Sequence, residues 1–185
     1  MKPIKDMDIG ELAAFICSFL KSKGIDVVLS GGSCVSIYTD NKYASLDLDF
    51  IEVGSVARRK LKKVLLEIGF HEENRYFKSS ETDIFLEFPS GPLSVGGEPI
   101  NEVITLNFPT GELRIISATE CVKDRLASYY HWRDQQSLEQ AVLVAKDNRV
   151  NMEELERWSE VEGKLAIFNE IKKRLEVTKP LIKGN

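Results

Sequence analysis

The sequence predicts an α+β fold: a mixed sheet flanked by helices as far as about residue 117, followed by a C-terminal helical part. Two patterns carry this prediction. Short apolar or alternating runs, bounded by glycine and polar turns, recur between helical stretches up to Ile116, and from Ser117 onward every apolar pattern has the helical period. Composition sets the scale, since 185 residues with 43% hydrophobic and 29% charged side chains can bury one core of ordinary size. The expected organisation is an α+β core over 1–117, a helical region over 118–179 packed on it, and a flexible tail over 180–185.

The elements follow in order. Asp8 and Glu11 form a capping box for a helix carrying Leu12, Phe15, Ile16, Phe19 and Leu20, which Gly24 ends. Asp26–Ser30 is a short apolar run, hence a buried strand, and Gly31-Gly32-Ser33 turns the chain into a short helix over Cys34–Tyr38. Asn41–Ser45 is a polar loop. Leu46–Val53 alternates apolar and acidic residues, so it reads as a strand with Asp47 and Asp49 on one face. Ser55 is expected to cap a helix with Val56, Leu61, Val64, Leu65 and Ile68 inward, closed by Gly69. Strands follow at Arg75–Lys78 and Asp83–Phe88, then an ordered Gly- and Pro-rich loop over Pro89–Pro99. Val103–Asn107 and Leu113–Ile116 flank a hairpin turn. Ser117 with Glu120 opens a helix to about His131, a second starts near Asp134, and Asn151 with Glu154 opens a third that carries Leu155, Trp158, Leu165, Phe168, Ile171 and Leu175. Trp132 and Trp158 are read as core anchors between these helices.

Composition also narrows function. With 25 basic against 29 acidic residues the formal charge is −4, which disfavours non-specific coating of duplex DNA. No apolar run approaches the ~18–20 residues of a membrane span, and the acidic N-terminus does not read as a signal peptide. Three widely spaced cysteines without a CxxC exclude a disulfide framework or a zinc knuckle; they are read as buried fillers in a reducing, cytoplasmic setting. Two histidines leave little material for a His-based metal site, so any metal would be held by carboxylates and be Mg²⁺-like. The basic run Arg58, Arg59, Lys60, Lys62 and Lys63 reads as a solvated helix face. Arg125 and His131 superficially match the spacing of a ribonuclease motif, but six residues along a helix do not bring two side chains together.

The chemistry concentrates in VVLSGGSCVSIYTDNKYASLDLDFIE. Two carboxylates two residues apart on one strand repel and raise each other's pKa unless a cation lies between them. Two hard oxygen ligands suit Mg²⁺, which keeps other positions for water and substrate phosphate. At the Gly31-Gly32 turn the backbone can approach a ligand closely, and the first amides of the next helix favour an anion. A phosphate cradle beside a carboxylate pair is what phosphoryl or nucleotidyl transfer requires.

These residues resemble the DNA polymerase beta-type nucleotidyltransferase superfamily, whose signature is Gly-(Gly/Ser), a spacer and Asp-x-Asp; the thirteen residues between Ser33 and Asp47 make a long spacer. The chain as a whole is similar to the small AbiEii-type nucleotidyltransferases, over roughly residues 10–165 and including EFPSGPLSVGGEP and TECVKDRLASYYHWRDQQSLEQA. The resemblance implies a nucleotidyltransferase-like sheet and transfer of a nucleoside monophosphate from an NTP to a hydroxyl of a tRNA, a protein or a small molecule, within a toxin–antitoxin system. It implies two Mg²⁺ ions held by Asp47, Asp49 and a third carboxylate on a neighbouring strand, for which Asp83 and Glu87 are candidates and Glu87 is favoured. It further implies that Gly31, Gly32 and Ser33 hold phosphates and that Lys123 meets the triphosphate. Asp134 stands at an acidic position of the family without a derivable role. Where relatives carry Arg and Thr before Asp-x-Asp, this chain has Lys42 and Ser45, and Lys cannot make a bidentate fork to phosphate. The competing reading is a non-catalytic nucleotide- or partner-binding protein of the same fold.

Overall fold

The protein is described from a computed structural model covering residues 2–54 and 56–176. The expected tail, and Ser55 as a helix cap, lie outside the described residues. A 3-10 turn (Ile4–Asp6) leads to α1 (Ile9–Ser22). The Asp8 carboxylate accepts from the Glu11 amide at 2.8 Å and the Asp8 amide donates to Glu11 at 3.0 Å, which closes the predicted capping box. β1 (Val27–Ser30) passes directly into α2 (Gly31–Tyr38), and β2 (Asp47–Glu52) returns alongside β1. After α3 (Arg58–Leu66) come β3 (His71–Glu73), β4 (Tyr76–Ser79) and β5 (Thr82–Glu87). β3 is absent from the sequence reading because three exposed or half-exposed polar residues carry no apolar signal.

Within the expected Gly/Pro loop, β6 (Ser94–Val95) and β7 (Glu98–Pro99) form a two-residue ribbon turned by Gly96-Gly97. Arg157 clamps it through Glu98 at 2.6 and 3.0 Å. β8 (Val103–Phe108) and β9 (Gly111–Ile116) make the predicted hairpin. The helical part comprises α4 (Ala118–Trp132), α5 (Gln135–Asp147), α6 (Met152–Val161) and α7 (Leu165–Glu176), the first three capped by Ser117, Asp134 and Asn151. Asp134 thereby acquires a role: its carboxylate accepts from the Gln136 amide at 3.0 Å and the Ser137 hydroxyl at 2.6 Å.

The single helix expected from Asn151 to Leu175 is two. Gly163, at φ 68, ends α6, and the Lys164 amide turns back to the Ser159 carbonyl at 2.7 Å. The apolar period continues across this break because both helices bury a stripe on the same core, so the pattern alone does not reveal the interruption.

The seven-stranded mixed sheet has the order β3-β4-β5-β2-β1-β9-β8. β1 runs parallel to β9 and β2 parallel to β5, with the other neighbours antiparallel. Buried side chains from sheet and helical part form one cluster that includes Leu29, Phe50, Phe77, Leu126, Val144 and Trp158. Cys17, Cys34 and Cys121 are buried thiols within it, and burial pushes Cys34 well above the ordinary thiol range, which keeps it protonated and unreactive. Trp158 is fully buried and stacks on Tyr130 with centroids 5.8 Å apart. Trp132 corrects the sequence reading, being 80% exposed. It is the last residue of α4, and the chain turns away after it through Arg133 in the left-handed region. No described helix is long and apolar enough to cross a membrane.

Candidate active site

The site assembles where β1 ends. Antiparallel pairing sets Ser30 of β1 opposite Asp49 of β2, and parallel pairing sets Asp49 opposite Glu87 of β5. Alternate residues of a strand share a face, so Asp47, Asp49 and Glu87 project together, and one oxygen from each lies within 4.8 Å of the others. The register also separates Glu87 from Asp83. Asp83 is exposed and precedes Phe85, the first β5 residue in register with β2, so it sits away from the pair.

Three half-buried carboxylates so close oppose one another. Burial, with the charges of Asp47 and Glu87, pushes the Asp49 carboxyl up to about 7, while Arg125 pulls it the other way. A donor set made entirely of carboxylate oxygens, held together against its own repulsion, fits a hard divalent cation, which would remove the conflict.

Gly31 packs onto this cluster. It lies at φ +70, and a Cβ there would come 2.0 Å from Asp49 Oδ2. Gly32 is different, because the nearest atom to its virtual Cβ is Ser45 Oγ at 3.5 Å, an ordinary contact. Both glycines are half-exposed at the start of α2, whose N-terminus no side chain caps. Their first-turn amides therefore face outward without a side-chain acceptor, a ready anion cradle. Ser33 is closed off from solvent and its hydroxyl donates inward to the Ser30 carbonyl at 3.1 Å. Its hydroxyl is thus turned inward in this arrangement, because the third residue of a helical turn starting at Gly31 points back under the strand end.

The two glycines predict different outcomes. Gly31→Ala should cost stability, about 1–2 kcal/mol from the left-handed backbone alone, and displace the Asp49 carboxylate. Gly32→Ala should melt within a degree or two of wild type, so that any loss of NTP binding it causes reports on the cradle itself. Calorimetric melting with NTP titration checks both.

Lys42 pairs with Asp147 at 2.7 Å, and the Ser45 hydroxyl donates to Asp47, orienting that carboxylate. Lys123 has a different occupation from the one the resemblance implies. It is 1% exposed, and its ammonium pairs with Glu120 at 3.2 Å and Glu154 at 2.6 Å where α4 meets α6. Among the described residues it makes no ion pair with the carboxylate triad. His131 faces Glu162 at 3.5 Å while Arg125 bonds Asp124 and Gln140, so the ribonuclease-like spacing does not become a site.

Two site residues escape the sequence reading. Arg75 Nε lies 3.3 Å from Glu87 Oε1. Arg125, mostly buried and held by Asp124 and Gln140, lies close enough to act on the charge of Asp49. No periodicity or motif places either one at the carboxylates; only strand pairing and the docking of α4 bring them there.

No protein-family model matches the chain, and no curated protein matches it. Solved structures do. An antigenic nucleotidyltransferase-like protein from Paracoccidioides brasiliensis superposes with TM-score 0.64 at 15% identity, over 97% of each chain. The antibiotic-resistance factor ANT(2'')-Ia superposes in its solution structure with TM-score 0.50 at 13% identity, over 91% of this chain and 94% of that one. In its complex with adenylyl-2''-tobramycin the score is 0.50 at 15% identity, over 89% and 98%. The fold is that of nucleotidyltransferase-like proteins.

Proposed function

We propose that this protein is a divalent-metal-dependent nucleotidyltransferase that moves a nucleoside monophosphate from an NTP to an acceptor hydroxyl. The observation that carries the reading is the convergence of Asp47, Asp49 and Glu87 within 4.8 Å, against the Gly31 turn. The nucleotidyltransferase-like fold supports it, as does an adenylylated ligand in one structural neighbour.

Asp47, Asp49 and Glu87 would hold the metal, with Mg²⁺ in two positions as the natural choice for an all-oxygen set. When bound, such a cation polarises the α-phosphate and favours ionisation of the attacking hydroxyl. The Gly31 and Gly32 amides receive the β and γ phosphates. A bond forms between the acceptor oxygen and the α-phosphorus, and the bond to the α–β bridging oxygen breaks with its electron pair leaving on pyrophosphate. The hydroxyl proton passes to a carboxylate of the triad. Ser45 keeps Asp47 oriented, and Arg125 limits the repulsion on Asp49. Lys123 stays a proposed triphosphate contact only if its ion pairs open on substrate binding. ATP as donor, a cytoplasmic setting, a tRNA or protein acceptor and a toxin–antitoxin role extend the AbiEii-like resemblance.

Incubation with each α-labelled NTP, Mg²⁺ and cell extract should transfer label to one class of acceptor. The Asp47→Ala/Asp49→Ala protein should transfer none. Absence of label with every NTP, together with no calorimetric binding of NTP in Mg²⁺, would overturn the reading.

A further inference from the structure

One row of residues crosses four strands of the sheet: Ser30 on β1, Asp49 on β2, Glu87 on β5 and Tyr76 on β4. The chain neighbours at its two ends are Gly31, which packs on Asp49, and Arg75, which pairs with Glu87. The phosphate cradle and Arg75 therefore flank the carboxylates on opposite sides. In-line displacement places the attacking and leaving oxygens on opposite sides of phosphorus. With the leaving pyrophosphate at Gly31, the acceptor enters on the side of Glu87 and Arg75.

A cleft of about 490 Å³ lies on that side, lined among others by Glu52, Arg58, Arg75, Glu87, Phe88 and Ser90. Arg75 is 69% exposed and stands over the Tyr76 ring, donating to its hydroxyl at 2.6 Å. Its one carboxylate partner among the described residues is Glu87. Arg58 is fixed at the mouth by Glu72 at 2.9 Å, by the Arg75 carbonyl at 3.0 Å and by the Phe77 ring beneath it. Once Glu87 serves a metal ion, the Arg75 guanidinium loses its counter-ion and faces the cleft with its planar fork available. Glu52 is then the acid left on the wall. On the same helix as Arg58, Arg59 and Lys63 are exposed and make no ion pair among the described residues, a second basic face of α3 that only a long polyanion leaving the cleft would meet.

We infer that this cleft is the acceptor subsite, that it takes a phosphate-bearing acceptor, and that Arg75 exchanges Glu87 for the acceptor's phosphate when the metal is in place. The inference rests on the nucleotidyltransferase reading for the word acceptor, but the exchange is observable by binding alone. A guanidinium suits phosphate through two parallel hydrogen bonds. A polycation such as an aminoglycoside would meet Arg58 and Arg75 and be repelled. The phosphate can belong to a nucleic-acid end or to a small phosphorylated molecule.

Both sources are distinguishable in Mg²⁺ without NTP, using a fluorescein-labelled single-stranded RNA 12-mer and ribose 5-phosphate as probes, with tobramycin as the polycation. Arg75→Gln should weaken phosphate-probe binding at least tenfold. It should also tighten Mn²⁺ binding to the metal-loadable site several-fold, because a competing cation has been removed. RNA binding that weakens further with Arg59→Glu/Lys63→Glu assigns the phosphate to a polynucleotide. Ribose 5-phosphate binding that ignores the double reversal assigns it to a small molecule. Phosphate-probe binding unchanged in Arg75→Gln, or tobramycin binding that Glu52→Gln abolishes, would overturn the inference. Arg75-dependent phosphate binding in a protein that transfers no nucleotide would instead remove the reaction and leave the subsite standing.

Discussion

Asp49→Asn should lower nucleotidyl transfer by at least ~10³-fold, the scale of the several kcal/mol a metal-ligating carboxylate supports, and should at the same time stabilise the metal-free protein at neutral pH and above. The second effect follows from the crowding of the triad. Burial and the neighbouring charges of Asp47 and Glu87 raise the folded-state pKa of Asp49 to about 7, against ~3.9 for an unfolded aspartate. The folded chain thus holds this proton more tightly than the unfolded chain. The ionised carboxylate opposes folding in full above about pH 7, and the penalty fades as pH falls from there and vanishes below ~3.9, where both states are protonated. Its full size is on the order of 2–4 kcal/mol. Asparagine keeps the shape and removes the charge, so the variant's Tm should exceed wild type at pH 8 and the gap should close by pH 4. Mg²⁺ should raise the wild-type Tm at pH 8 and leave the variant nearly unmoved. A variant no more stable than wild type at pH 8 without metal would refute the account of Asp49 as a strained ligand.

The largest loss of stability is expected from Lys123→Met. The ammonium is 1% exposed and shared between Glu120, whose side chain is 4% exposed, and Glu154. Methionine fills the volume but leaves Glu120 charged and buried, which costs about 3–5 kcal/mol and should lower Tm by on the order of 10 °C. Adding Glu120→Leu should recover much of that, because an apolar pair in the same space removes both desolvation costs. The network has a pH limit as well. Hydrogen bonds from Arg157 and then Lys123 hold the Glu154 carboxyl down at about 2. Its contribution is present above the ordinary glutamate range near 4.5 and is lost as pH falls from there toward 2. Transfer activity that survives in the double variant at low temperature would make Lys123 structural. Activity lost while Tm is restored would return it to the triphosphate.

Lys123 marks the limit of the sequence reading. A lysine in a family-like helix segment looks the same whether it faces phosphate or a buried glutamate. Its partner Glu154 stands on a helix whose docking is decided by Trp158, Tyr130 and the rest of the cluster. Trp132 and Trp158 show the same limit, since both are aromatic residues in amphipathic helices and one is buried while the other is exposed. The Gly163 break escaped because two helices pack one apolar stripe on one core.

The sequence by itself determined those features whose cause lies within a few residues. Asp47 and Asp49 share a face because strand side chains alternate. Gly31 permits a positive φ where β1 becomes α2, and Asp8, Ser117 and Asn151 cap helices because their oxygens reach amides three residues on. Tertiary structure alone decided the rest of the site. Glu87 stands beside Asp49 and Asp83 does not, through a parallel register between strands separated by α3 and a hairpin. Arg75 reaches Glu87 because β4 pairs with β5, and Arg125 comes within electrostatic range of Asp49 because α4 docks against α2. A register or a docking angle minimises the energy of the whole core, and no local stretch of chain contains that sum.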